Sequence, residues 1–525
     1  MPSPDPSSRA SAAEVFDALQ QVGVDAVAFQ GLESAMSWWR DVPEPEGTGA
    51  IVAYTDTGRS WIAAGRPLVA THLVQPAAER FAEAARAAGR HAAFFCVEDL
   101  TAFPTFRHMR IGLQSELEPA QWPATLRRSR HLREQVRRAR AKGVRVRRVH
   151  PGELTEGSPL RAELERLART WLATRAMEPM GFLVSVELFH QPDAHIYLIA
   201  ERPAPVGRGT AVGRGFSHAG HEGQKAAAGQ AAGVGQGFSP AGHAGQEAAV
   251  GQEPAVGRGF SPTMQVVQCL SAVPIPGRRG WLLEDMLRAP DAPNGTTELI
   301  LDQFFREVGE QADVVTPGLT PLAGDVPWWL RASAIIMRPL YDFEGLRRFR
   351  ARLSPQRWAP VWLVWDRGPA VLMLLDLFRA FARGRLVRFA WRSLTQHPNG
   401  PPWAVAVPLV PWTFWLAGLV VTQRTDVLGY SRAALTAWVC FDVWLCVSLF
   451  RAARRPRANV LTALGLAAAA DAAVSVAHLW STGLDHGILI PLARVAATIG
   501  PIVGACALGY AAWRARVRQR HPSCN

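Results

Sequence analysis

An α+β protein, two such units in tandem followed by four membrane-spanning helices, is the architecture this sequence predicts. Three observations carry it. Strand-like and helix-like stretches alternate twice over the first ~380 residues. Four apolar runs, each near the ~20 residues needed to cross a bilayer, follow at the C-terminal end. Between two strands, a stretch of Gly, Ala, Gln and Pro interrupts an otherwise continuous pattern. Composition agrees: 48% of the 525 residues are hydrophobic, which excludes wholesale disorder, while only 19% are charged, as expected if part of the chain avoids water. Cys96, Cys269, Cys440, Cys446, Cys506 and Cys524 are scattered without a CxxC. That excludes a disulfide scaffold and a zinc ribbon, fits a reducing compartment, and leaves no metal site to expect.

Residues 1–12 are Pro/Ser-rich, lack the apolar core of a signal peptide, and are expected to be disordered and cytoplasmic. The first unit, 13–125, holds a hairpin over Gly49–Gly65, a helix over AAERFAEAARAAG and a strand over His91–Asp99. The second, 126–380, opens with a basic helix. His195–Arg202 and Gln265–Ile275 then read as two strands of one hairpin, and Gly280–Arg288 as the next strand. Asn294-Gly295 reads as a turn, Thr296 as the N-cap of a helix, and Glu298 as a first-turn acid that complements the helix dipole.

Residues 203–262 form the tip of that hairpin, and Gly-Phe-Ser recurs there at Gly215, Gly237 and Gly259. One Phe per repeat cannot offset chain entropy, so a disordered insertion is expected. Past the second unit, 381–402 is a basic juxtamembrane segment, 403–513 contains the four spans, and 514–525 is a tail. The runs are Trp403–Thr422, Ala433–Phe450, Val460–Trp480 and Gly487–Trp513. Arginines cluster before the first, between the second and third, and after the fourth, which predicts a multi-pass inner-membrane protein with both ends and the first ~400 residues cytoplasmic. Asp442, Asp471 and Arg494 interrupt the runs, either as an interhelical ion pair or as part of a transport path.

From Leu126 to Arg148 there are eleven Lys/Arg and one acid, Glu134. Leu132, Val136 and Ala139 recur at helical spacing, so one face can pack while Arg133, Arg137, Arg138, Arg140 and Lys142 face outward. A solvated helix face would mix signs, whereas this one suits a polyanion, either RNA phosphate or an anionic lipid surface.

The basic LREQVRRARAKGV, WLATRAMEPMGFLVSVELF (Trp171–Phe189), GWLLEDMLRAPDAPNGTTELILD (Gly280–Asp302), TPGLTPLAG (Thr316–Gly324) and YDFEGLRRFRARLSPQRWAPVWL (Tyr341–Leu363) together resemble one family. It is the catalytic domain of phosphatidylglycerol lysyltransferases, the C-terminal part of multiple peptide resistance factor proteins. The resemblance covers roughly Val15 to Ala380 without the insertion. It implies tandem GNAT-like acyltransferase folds that move an aminoacyl group from charged tRNA to a lipid such as phosphatidylglycerol. Larger members carry many membrane helices, including a lipid-flipping module, ahead of this domain, whereas here four follow it.

Such a transfer needs a site for the donor amine, a base for the attacking hydroxyl and stabilisation of the tetrahedral carbon. Glu284 and Asp285 on the strand entering the turn, and Glu187 on an earlier candidate strand, are candidates to hold the ammonium group or take a proton. Arg288 is the candidate for oxyanion or phosphate. For each of the four a structural ion pair is the alternative. The turn residues Asn294, Gly295, Thr296 and Glu298 are expected at the substrate, the alternative being a plain helix entry. Pro290 and Pro293 offer no N–H to a pyrophosphate, which argues against coenzyme A and leaves aminoacyl-tRNA as co-substrate with no further cofactor. Two other readings remain: a non-catalytic membrane protein that binds RNA or anionic lipid, and a transporter built on the spans.

Overall fold

The computed structural model describes residues 10–43, 45–175, 179–204, 264–337, 341–386, 388–389, 392, 400–423, 430–454, 457–482 and 489–520. Helix α1 (Ala12–Val22) begins on a reciprocal cap in which Glu14 N donates to Ser11 Oγ and Ser11 N donates to Glu14. Order therefore reaches back to Ser11, inside the segment 1–12 expected to be disordered, and residues 1–9 lie outside the described set.

In chain order there follow β1 (Ser37–Arg40), β2 (Ile51–Asp56), β3 (Ser60–Ala64), α2 (Val74–Ala87), β4 (His91–Val97) and β5 (Arg107–Glu116). Helices α3 (Trp122–Arg128) and α4 (Arg130–Ala141) lead to β6 (Arg145–Val149), α5 (Pro159–Ala173), β7 (Ile196–Pro203) and β8 (Met264–Ile275). Next come β9 (Gly280–Arg288), α6 (Thr296–Val308), β10 (Val314–Thr316) and β11 (Leu319–Pro321). Helices α7 (Trp328–Met337) and α8 (Phe343–Arg352), strand β12 (Arg357–Trp365) and helix α9 (Ala370–Phe381) complete the two sheets and their cover.

The first sheet has the order β1-β2-β3-β4-β12-β5-β11 and the second β10-β9-β8-β7-β6. This corrects the expected boundary. Strands β11 and β12 fall within 126–380, yet they belong to the first sheet, where β12 lies antiparallel between β4 and β5. Strand β12 alone leaves β4 and β5 with a complete ladder on their facing edges, a demand that no local pattern encodes. Helix α2 covers one face of this sheet through Phe81, and α9 covers the other through Met373, Leu374 and Leu377. Helices α4, α5 and α6 share one core with the second sheet.

The expected hairpin is present as the neighbours β7 and β8. The chain divides into two units, Met1–Glu201 with Val266–Asn525, and Arg202–Gln265. Of the repeat insertion, 205–262 lies outside the described residues. The basic helix is two helices rather than one. Ser129 breaks it, accepting a hydrogen bond from Leu132 N to cap α4, and Leu132, Val136 and Ala139 are buried as their spacing predicted. Gly143, at φ +75°, follows its end. Among the described residues three helices are long and apolar enough to cross a membrane: Gly400–Val421, Arg432–Ala453 and Ala458–His478. The fourth expected run forms the helix Leu489–Arg520, in which the Arg494 side chain lies outside the described set.

Candidate active site

Strand β9 carries the candidate residues Glu284, Asp285 and Arg288. Opposite β8 its register shifts: Asp285 pairs with Ser271 and Leu283 with Ala272, leaving Glu284 as the extra residue of a bulge. A bulge locally re-aims a side chain, and here it presents Glu284 to a histidine. His195, almost wholly buried at the entry to β7, places Nε2 3.0 Å from Glu284 Oε2 and Nδ1 2.9 Å from the Gln191 carbonyl. A carbonyl only accepts, so Nδ1 carries a hydrogen. Nε2 and the Glu284 carboxyl are thus within hydrogen-bond reach of one another, with the imidazole held in place from its other side. Tyr197 stacks on the imidazole at 5.2 Å, and Phe29 meets it edge-on at 5.5 Å. Burial pushes the Tyr197 phenol up, and its hydroxyl donates to the Leu188 carbonyl.

Two further carboxylates join Glu284. Glu33 is buried and accepts from Leu183 N at 3.2 Å, with the Ser185 hydroxyl beside its carboxyl. Burial first, then the nearby Glu187 and Glu284, push Glu33 up to about 8. Glu187 accepts from Ser34 N at 3.1 Å and Ser34 Oγ at 2.8 Å. It lies in an irregular loop and not on the strand expected for it. That loop bends through left-handed non-glycine residues at Phe182, Leu183 and Gln191. These are the residues whose backbone holds the site: Leu183 serves Glu33 and, through its carbonyl, Gln30, while Gln191 serves His195. Strain of about 1–3 kcal/mol per such residue persists only where the surroundings over-determine it. Asp285, next to Glu284, is buried against Ser271, and burial raises it to about 8. It sits beneath the site and takes no part in the cluster's hydrogen bonds.

Along the same strand Met286 and Arg288 line a cavity of about 390 Å³, together with Trp171, Arg175, Gln268 and Phe349. Arg175 lies 3.7 Å over the Trp171 ring. Gln268 is fully buried; Thr297 Oγ1 donates to its Oε1 at 3.1 Å, and its Nε2 has no partner among the described residues. Arg288 donates from Nη2 to the carbonyls of Ala292 and Pro293, so it braces the turn as well as facing the cavity.

The turn itself is placed differently from expectation. Asn294 is exposed, Gly295 and Thr296 are buried, and none of these or Glu298 lines the cavity, where Pro290 and Thr297 appear instead. The N-cap is Gly295, at φ +92°, and not Thr296, whose hydroxyl donates back to Pro293 O. A side chain at 295 would put Cβ 2.0 Å from the Gln135 carbonyl, so this glycine lets α4 approach the turn.

The basic face is partly committed to structure. Arg137 and Arg138 share Glu134 at 2.9 and 2.8 Å, Arg140 reaches the buried Asp302 at 3.1 Å, and Arg133 donates to the Leu126 carbonyl. Lys142 is exposed, and the side chains of Arg137, Arg138 and Arg140 are each more than half exposed, so a cationic surface remains.

Sequence reasoning missed His195, Glu33, Gln30 and Gln268. Gln268 had a signal, a polar residue inside the apolar strand QVVQCLSAV. Glu33 and His195 had none, because the loop that gathers them is read only in three dimensions.

Two mixed sheets of this arrangement, with their covering helices, are found in solved structures. The chain is similar to the C-terminal domain of a protein described as a lysylphosphatidylglycerol synthetase from Agrobacterium fabrum, with 18% identity and TM-score 0.50 over 71% of this chain and 99% of that one. It is similar to L-PGS from Bacillus licheniformis, with 15% identity and TM-score 0.51 over 72% and 97%. These likenesses establish the α+β fold. No curated protein sequence matches significantly. Residues 30–207 and 260–365 match the family described as phosphatidylglycerol lysyltransferase, C-terminal, and the chain belongs to that family.

Proposed function

We propose that this protein moves an aminoacyl group from charged tRNA to a hydroxyl of a membrane lipid such as phosphatidylglycerol, at the cytoplasmic face of the inner membrane. The observation that carries the reading is the convergence of Glu33, Glu187 and Glu284 beside His195, on the strand that also lines the arginine-bearing cavity. Carboxyl groups that converge in this way suit an ammonium donor. Arg175 and Arg288, set among Trp171, Met286 and Phe349, suit a phosphate joined to apolar chain. The outward arginines of α4 suit the tRNA backbone.

The chemistry follows from these places. The lipid hydroxyl attacks the ester carbonyl carbon, forming a new C–O bond, and the bond to the ribose oxygen breaks as the tetrahedral intermediate collapses. The hydroxyl proton passes to the His195–Glu284 pair, and a proton from the pair passes to the departing ribose oxygen. The pair ends as it began, and no cofactor enters the balance. The unpartnered Gln268 amide is the neutral donor best placed for an acceptor oxygen of the substrate.

The test is mass spectrometry of lipids formed by the purified full-length protein in vesicles with a mixture of charged tRNAs. An aminoacylated lipid that requires tRNA supports the reading. Absence of any product, with tRNA and vesicle binding intact in both the wild type and Glu284→Gln, would make the protein a binder and sink it.

A further inference from the structure

Helix α9 is bolted to the first sheet by a buried acid. Asp376 accepts from Ser60 Oγ at 2.7 Å and Arg379 Nη1 at 3.1 Å, with Arg59 at 3.4 Å. That leaves the outward face in a fixed orientation, and this face is not polar. Val371 is 63% exposed, Leu372 36%, Leu375 37% and Phe378 39%, at the spacing of one helical stripe. Surface helices of water-soluble domains put charge at such positions. On α7, which shares the core beneath α9 through Leu330, Trp328 is 81% exposed.

We propose that α9 is an interfacial helix: its stripe of Val371, Leu372, Leu375 and Phe378 lies in the acyl–headgroup boundary of an anionic leaflet and docks the first sheet there. Two observations select the bilayer over a protein partner. From Arg383 to Arg392 the sequence carries four arginines and no acid, a charge pattern complementary to anionic headgroups. Helix α9 ends roughly 18 residues, at most ~65 Å of extended chain, before the first apolar span begins at Gly400. The membrane is thus held within reach of the stripe, whereas a soluble partner would have to compete with it. The spans alone would tether the catalytic sheets on a leash, and the stripe fixes one face of them to the lipid. An indole such as Trp328 is at home in the same layer. This inference rests on the spans and not on the reaction proposed above.

The experiment uses the full chain in vesicles containing phosphatidylglycerol. In a background with Cys440, Cys446, Cys506 and Cys524 changed to Ser, single cysteines at Val371→Cys, Leu375→Cys and Phe378→Cys carry a bimane probe. Glu83→Cys, exposed on α2 over the opposite face of the first sheet, is the control. Nitroxide-labelled lipid should quench the three stripe probes at least about twofold more than the control, and aqueous iodide should quench them less. In vesicles of phosphatidylcholine alone the difference should shrink. Equal iodide quenching at stripe and control positions would overturn the proposal. So would protection of the stripe from both quenchers that grows with protein density, which would mark a second copy as its occupant. The readouts do not require turnover, so they stand or fall apart from the transferase activity.

Discussion

His195 Nε2 and Glu284 Oε2 lie 3.0 Å apart in a nearly dry setting, and the reading of both as the proton relay has a direct consequence. Glu284→Gln keeps the shape and a hydrogen bond but cannot accept a proton. Lipid aminoacylation should fall by about 10²–10⁴ in kcat with tRNA affinity unchanged, measured in single-turnover assays with radiolabelled charged tRNA. Glu33 makes a separate prediction because its carboxyl titrates near 8 instead of the ordinary 4.5. Between those values the native protein binds a proton that the unfolded chain has released, so stability must fall as pH rises through that window. Asp285, raised in the same direction by burial, adds to the slope. Glu33→Gln cannot ionise, and its amide oxygen can still accept from Leu183 N. The wild type should lose several degrees of Tm (about 3–6 °C) between pH 5 and 8.5 in detergent, and the variant should lose distinctly less. A variant as pH-sensitive as the wild type would contradict this.

At the scale of elements, α4 does two jobs with one sequence, and they separate by residue. Asp302 on α6 is buried and takes hydrogen bonds from Trp122 Nε1 at 3.1 Å, Arg140 Nη2 at 3.1 Å and Arg306 Nε at 3.2 Å. Asp302→Ala leaves those donors without their acceptor and should cost about 3 kcal/mol in a denaturant titration, with little change in the cationic surface. Arg137→Ala with Arg138→Ala removes only solvent-screened pairs with Glu134, so the denaturant midpoint should not move. The pair should instead weaken tRNA binding and flatten its dependence on salt, as a filter-binding series would show. Gly295 is the joint between the helix and the turn. With φ at +92° and the Gln135 carbonyl at 2.0 Å from a built Cβ, Gly295→Ala should destabilise by about 2–4 kcal/mol through backbone displacement. Rescue by a second substitution at Gln135 is not expected, because the clash is with backbone.

For the whole molecule, the decisive feature is the return of the chain to the first sheet. Strand β12 pairs with β4 and β5 at once and buries Val361, Leu363 and Val364. A chain stopped before residue 357 should therefore fail to fold its first sheet, exposing two open edges, whereas one stopped at residue 392 retains both sheets. Protection from limited proteolysis would distinguish them. The insertion offers the opposite case. Strands β7 and β8 are neighbours in the second sheet, so a short turn can replace residues 205–262. Closing a long loop costs only logarithmically in its length, so the deletion should leave folding and transfer intact and change stability by no more than about 1–3 kcal/mol. A tenfold loss of activity or tRNA affinity would show that the segment contributes. The two sheets also meet through charge: Arg278 sits between Glu98 at 2.7 Å and Glu116 at 2.6 Å, and burial of Glu98, with Asp25 nearby, raises that carboxyl to about 7.

What the sequence determined by itself is what local physics encodes. Short apolar runs bounded by turn residues mark β2, β4, β7, β8 and β9, helical spacing marks the buried face of α4, and apolar runs of bilayer length mark the C-terminal helices. Glu284, Glu187 and Arg288 stood out as candidates because specific motifs surround them, and the family followed from the same stretches. Tertiary structure decided the rest. It placed Glu284 on a bulge, brought Glu33 and His195 to it through a loop of left-handed residues, and turned Gly295 from a substrate contact into a packing joint. It also set β12 in the middle of a sheet whose other long strands lie some 250 residues earlier. Periodicity along a chain reports which face of an element is buried, but not which distant element buries it; that choice is made by edge pairing and packing, and both exist only once the chain has closed on itself.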